Sequence, residues 1–162
     1  MSVLLRLALF AFACTLAASV EAQVVTRRHV SQAMATTIAA TALAMCESKG
    51  YRISVVVVDR SGETIVAIRG DGASPHTLEN ARRKAYTAMT FRRSSAEFAK
   101  ELETAPSRRQ QATLPNVIGI AGGLPIKVGE EIIGGGGVSG SPGGNDEPCL
   151  QAGLDKVADQ LK

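Results

Sequence analysis

Apolar residues along this chain change their period several times, and each change marks an element. Over Val30–Lys49 they recur at helical spacing (Met34, Ile38, Ala42, Met45, Cys46), and Gly50 ends the run as a C-cap would. Ile53–Asp59, "ISVVVVD", is a β-branched run that predicts a central strand. Arg60-Ser61-Gly62 is a turn signal, and Glu63–Arg69, "ETIVAIR", predicts the returning strand of an antiparallel hairpin. After "GDGASP", Ser74 and Pro75 fit an N-cap and a first helical position. The helix they open runs through "HTLENARRKAYTAMTF", with Leu78, Ala81, Ala85, Ala88 and Met89 facing inward. Ser94 and Glu97 form a capping-box pair for a third helix that reaches about Glu103.

The second half is less regular. Thr104–Asn116, "TAPSRRQQATLPN", reads as a long polar loop. Three short strands are predicted next, Val117–Ala121, Leu124–Val128 and Glu131–Val138, with turns at Gly122-Gly123 and Gly129-Glu130. Asn145 or Asp146 caps a last helix, with Pro148 in its first turn and an apolar stripe of Leu150, Leu154, Val157 and Leu161. The order is α-β-β-α-α-β-β-β-α. Strand-to-strand links within each group are short, so the expected class is α+β: a mostly antiparallel, five-stranded sheet with helices on its faces.

Residues 1–22 stand apart from this pattern. A short positively charged start is followed by the apolar run Leu7–Val20, and Val20-Glu21-Ala22 offers small residues where a signal peptidase reads. The run is too short for a spanning helix. Cys14 lacks the leucine three positions earlier that a lipoprotein signal carries. The expectation is a secretory signal over 1–22, one domain over 23–162, and a periplasmic or secreted location. A net charge of +3 and few aromatic residues give no electrostatic footprint or stacking platform for nucleic acid. Cys46 and Cys149 lie on different predicted helices, and pairing would need those helices to touch; two buried thiols are expected instead.

The run Gly134–Gly137 is the oddest stretch, because glycine is a poor strand residue. Gly135-Gly136-Gly137-Val138-Ser139-Gly140 matches G-x-G-x-x-G formally. It does not open a βαβ unit, however, and only one helix follows, so a dinucleotide site is rejected. Two explanations remain open. The glycines admit close packing by a helix or neighbouring subunit, or they bare a strand for a flat ligand. Ser139 lies in the same segment. His76, in the first turn of its helix, is the most chemical residue of the domain; Arg82, Arg83 and Lys84 follow it. An exposed imidazole there can ligate iron, and the cations can hold carboxylates. The plainer alternative is a first-turn histidine with three solvated cations. His29 is expected at the surface, and Asp71, Asp146 and Glu147 as turn and cap residues. No Ser/His/Asp set is suggested by spacing.

Several stretches together resemble the GlcG/HbpS family of haem-binding-type proteins, also found as the C-terminal domain of some corrinoid adenosyltransferases. They are the V-D-x-x-G turn (Val58, Asp59, Gly62), the R-x-D-G-A loop (Arg69, Asp71, Gly72, Ala73) and the A-x-x-K-A helix (Ala81, Lys84, Ala85), with the G-G-x-P-I turn (Gly122, Gly123, Pro125, Ile126) and the G-V-S-G strand end (Gly137–Gly140). The resemblance implies a profilin-like fold, a homo-oligomer and, in some members, haem or iron binding. On that footing haem would sit between a helix N-terminus and the glycine-rich strand (Gly135, Gly136, Gly137, Ser139). His76 would be the axial ligand, and Arg82, Arg83 and Lys84 would meet the propionates. Two alternatives stay open: a binder of, or enzyme acting on, a small organic acid in the same pocket, and an interaction module whose glycines serve packing alone.

Overall fold

The computed structural model describes residues 23–162, so the secretory signal expected over 1–22 lies outside the described residues. Helix α1 spans Gln32–Glu47; the Ser31 hydroxyl accepts the Met34 amide and starts it two residues after the sequence suggests. Strands β1 (Ser54–Asp59) and β2 (Thr64–Arg69) form the predicted hairpin, and the Asp59 carboxylate closes its turn by accepting the Ser61 and Glu63 amides. Helix α2 spans His76–Phe91 and ends on Arg92 in the left-handed conformation, φ 59°. Helix α3 (Ser95–Thr104) carries the capping box of Ser94 and Glu97 in full. A 3-10 helix, Pro106–Thr113, replaces the expected irregular loop. Strands β3 (Gly123–Val128) and β4 (Glu131–Ser139), helix α4 (Asp146–Lys156) and a closing 3-10 turn (Ala158–Gln160) complete the chain.

Among the described residues the sheet has four antiparallel strands in the order β2-β1-β4-β3, not five. The missing strand is Val117–Ala121. Its polar groups are taken by helix side chains instead: Thr87 Oγ1 accepts the Ile118 amide, Arg83 donates to Val117 O, and Ser95 donates to Ile120 O. A segment whose backbone is satisfied by helices has no need of a strand partner.

Helices α1 and α4 cover one face of the sheet and α2 the other. The first face holds the large core, in which Ile38, Ile53, Val55, Val57, Val138 and Leu150 are fully buried. Each such side chain stabilises the fold by roughly 1.5–3 kcal/mol. The second face holds a much smaller cluster, Val56, Val58, Ala81 and Ala85. On the first face the expectation of two free thiols is corrected: Cys46 of α1 and Cys149 of α4 form a disulfide, Cα–Cα 5.5 Å. The two helices touch because α4 carries Gly153 at the crossing, where a Cβ would fall on Ile38 O.

Candidate functional site

The glycine strand is closed. Strand β4 pairs with β1 on one side and β3 on the other, and Gly134–Gly137 are all buried. Gly135 and Gly137 face α2, where a Cβ would overlap Ala85 O and Ala81 O. Gly136 faces α4, where a Cβ would lie 2.7 Å from Leu150 Cδ1. Gly134 meets Val58 O at 2.5 Å in the same sense. Of the two explanations left open, close packing describes these residues; within one chain no flat ligand can reach this main chain. Small residues at Ala81 and Ala85 match the glycines from the helix side. Ser139 continues the strand at 5% exposure, in register with Ser54, whose hydroxyl bonds Thr77 at 2.8 Å under the first turn of α2.

Lys84 belongs to this closure and not to the surface. At 2% exposure, its Nζ donates to Val138 O (3.0 Å) and to Asp146 Oδ2 (2.8 Å). The other oxygen of Asp146 accepts the amide and hydroxyl of Ser141 at 3.0 and 2.7 Å. One buried ion pair thus ties α2 to the end of β4 and to the loop before α4. Asp146 therefore acts as a buried counter-ion, a role the sequence hides behind its resemblance to a helix cap. Both charges are satisfied by further hydrogen bonds, as a buried pair must be to persist.

Arg82 and Arg83 are half-buried and engaged. Arg82 makes a two-pronged bond to Glu79 (2.8 and 2.9 Å) and a third to Asn116 Oδ1 (2.8 Å). The hydrogen bond from Arg82 holds the Glu79 carboxyl below its ordinary value, and the same bond raises the Arg82 guanidinium. Arg83 donates to Val117 O at 2.5 Å. Together they strap the 116–118 segment onto α2. His76 is exposed on the first turn of α2 and makes no hydrogen bond or ion pair among the described residues. The structure thus does not gather the four residues of "H…RRK" into one pocket. The imidazole faces solvent, two guanidiniums face a loop, and the ammonium faces the sheet.

A family model described as haem degrading protein, HbpS-like, matches residues 30–155. The chain belongs to the HbpS-like family. Crystalline HbpS is 37% identical, with a TM-score of 0.77 over 82% of this chain and 93% of its own. Protein GlcG of Escherichia coli K12 is 29% identical over 114 residues, 70% of this chain and 84% of that protein. A PduOC:heme complex is 21% identical, with a TM-score of 0.73 over 80% of this chain and 95% of that one. The last of these shows the shared fold.

Within this HbpS-like fold lies a second cluster that no sequence pattern announces. Arg27, Arg60 and Arg92 line one groove together with Met89, Thr90 and Ile132. They come from the N-terminal segment, the hairpin turn and the end of α2, so no spacing announces them. His29 lies beside this cluster, exposed as expected, with Nδ1 3.9 Å from Asp59 Oδ2. No group of three or more His, Cys, Asp or Glu side chains suited to a metal ion occurs among the described residues. Among them, too, no helix is long and apolar enough to cross a membrane.

Proposed function

We propose that this protein is an exported, homo-oligomeric haem-binding member of the HbpS-like family, acting in the periplasm or outside the cell. The family match over residues 30–155 carries the reading, because the family is described by haem chemistry. A structural neighbour held with haem on the same fold supports it. Export is supported by the Cys46–Cys149 bridge, a bond that persists in oxidising compartments.

The residues fit haem in one respect and not in another. Exposed His76 has both ring nitrogens uncommitted among the described residues, and we assign it as the iron ligand. Haem bound there supplies a Lewis-acidic, redox-active iron; the chain supplies the imidazole and the surface around it. Lys84 and the glycine strand fall out of the assignment, because both are buried under α2. Arg82 and Arg83 would meet a propionate only by releasing Asn116 and Val117.

Hemin titration of the purified protein tests this reading. Saturable binding with a shifted Soret band is expected, with at least tenfold weaker binding in His76→Ala and unchanged binding in His29→Ala. Loss in His29→Ala alone would transfer the ligand role to His29. Absence of saturable binding in the unaltered protein would sink the haem reading. A small organic acid as ligand is the second reading, favoured by the three arginines of the groove at Met89.

A further inference from the structure

The N-terminal segment, the β1–β2 turn, the start of β4 and the end of α2 enclose a groove of about 240 Å³. We propose that this groove is a carboxylate-binding site. Arg27, Arg60 and Arg92 would take one or two carboxylate groups, and the attached carbon skeleton would lie on Met89 and Ile132. The site stands whether the carboxylates belong to a free organic acid or to the propionates of haem, so it does not depend on the haem reading.

Among the described residues, no carboxylate lines the groove. Glu131 is shared by Arg60 (2.5 Å) and Arg28 (3.1 Å), so one acid answers two guanidiniums. Asp59, the other nearby acid, is turned to His29 and to the hairpin amides. Arg27 and Arg92 make no ion pair or side-chain hydrogen bond among the described residues, which leaves an unanswered positive pair. Guanidinium is the side chain best shaped to grip a carboxylate.

Arg92 ends α2 at φ 59°, where helices ordinarily place glycine. In that conformation Arg92 lines the groove together with Arg60, and it also borders the neighbouring groove that holds Glu97 and Glu147. Met89, on the groove's lining, is approached from behind by Gly62 at φ 85°, where a Cβ would overlap the Tyr86 ring and crowd Met89 Cε at 3.2 Å. The groove is small. The volume lies below the roughly 300–1,000 Å³ of pockets that swallow a drug-sized ligand. It suits a small acid, or the carboxylate end of something larger. His76 and this groove lie at opposite ends of the sixteen-residue helix α2, about 22 Å apart along its axis at ~1.5 Å per residue.

The test uses the purified protein and the double variant Arg27→Gln/Arg92→Gly, with three probes: hemin, hemin dimethyl ester and malonate. Thermal melts should show the variant at least as stable as the parent, because glycine relieves the strain at position 92. If the carboxylates are propionates, the variant weakens hemin binding about tenfold, and the dimethyl ester is weak and indifferent to the substitutions. If they belong to a free acid, malonate binds saturably to the parent, and the variant weakens it about tenfold with hemin unaffected. Changes below threefold for both hemin and malonate overturn the site, and haem binding can survive that result. Malonate binding lost in the variant, with no hemin binding anywhere, would instead sink the haem reading and leave the site standing.

Discussion

On one face of the sheet, α1 and α4 are held off by side chains; on the other, α2 lies directly on main chain. The first face is built from Ile38, Val55, Val57, Val138 and Leu150, and is cross-linked by Cys46–Cys149. The second replaces side chains by absence: Gly135, Gly137, Ala81 and Ala85 let carbonyls and backbone approach, and one buried ion pair, Lys84–Asp146, locks the contact. A core filled with flexible aliphatic ends can yield to an added methyl; a backbone carbonyl cannot. The segment that looks most like a ligand site by composition is therefore closed by packing on both faces. The open chemistry lies at the two ends of α2, with His76 at one and the arginine groove at the other.

The contrast is open to substitution. Gly137→Ala should have the largest effect, because the new Cβ meets Ala81 O; a loss above ~4 kcal/mol, or failure to fold, is expected in denaturant melts. Lys84→Met comes next. It leaves Asp146 buried without its counter-ion, a cost of about 3–5 kcal/mol, and Lys84→Met/Asp146→Asn should recover part of it. Replacing Cys46 and Cys149 by alanine, or reducing them, should cost about 2–4 kcal/mol, since the bridge closes a loop spanning 103 residues. Gly136→Ala should cost only about 1–2 kcal/mol, because it meets the mobile tip of Leu150 on the yielding face. Equal losses for Gly136→Ala and Gly137→Ala would erase the difference between the faces.

The smallest effect is expected at Glu79, whose side chain is 57% exposed. Its carboxyl titrates below the ordinary 4.5 because Arg82 donates to it. A lowered folded-state value means that its contribution is present above the unfolded value and is lost as pH falls through the folded one. Glu79→Gln should therefore differ from the parent by a few tenths of a kcal/mol at pH 7. That difference should shrink in melts as the pH is taken down through the lowered folded-state value.

Much of this architecture is legible in the sequence. Ser94 and Glu97 announce α3, the β-branched run announces β1, and the turn at Gly62 joins the hairpin, because each signal is local. What escapes is long-range. Val117–Ala121 has strand composition but is claimed by Thr87, Arg83 and Ser95, which no local pattern reveals. Lys84 sits among arginines and looks solvated, and only its reach to Asp146 across 62 residues shows otherwise. The disulfide had one local clue, Gly153 in the middle of a helix, which marks the close crossing of α1 and α4. Arg27, Arg60 and Arg92 gave none.

Amide hydrogen exchange across β4, read with and without hemin, addresses the meaning of the glycine run most directly. If the chain's own packing seals that strand, the amides of Gly134–Gly137 exchange only through global unfolding in the ligand-free protein, and hemin slows them no more than it stabilises the whole fold. Fast exchange at those glycines in the free protein, with selective protection on adding hemin, would show a bare strand waiting for a ligand and contradict the account.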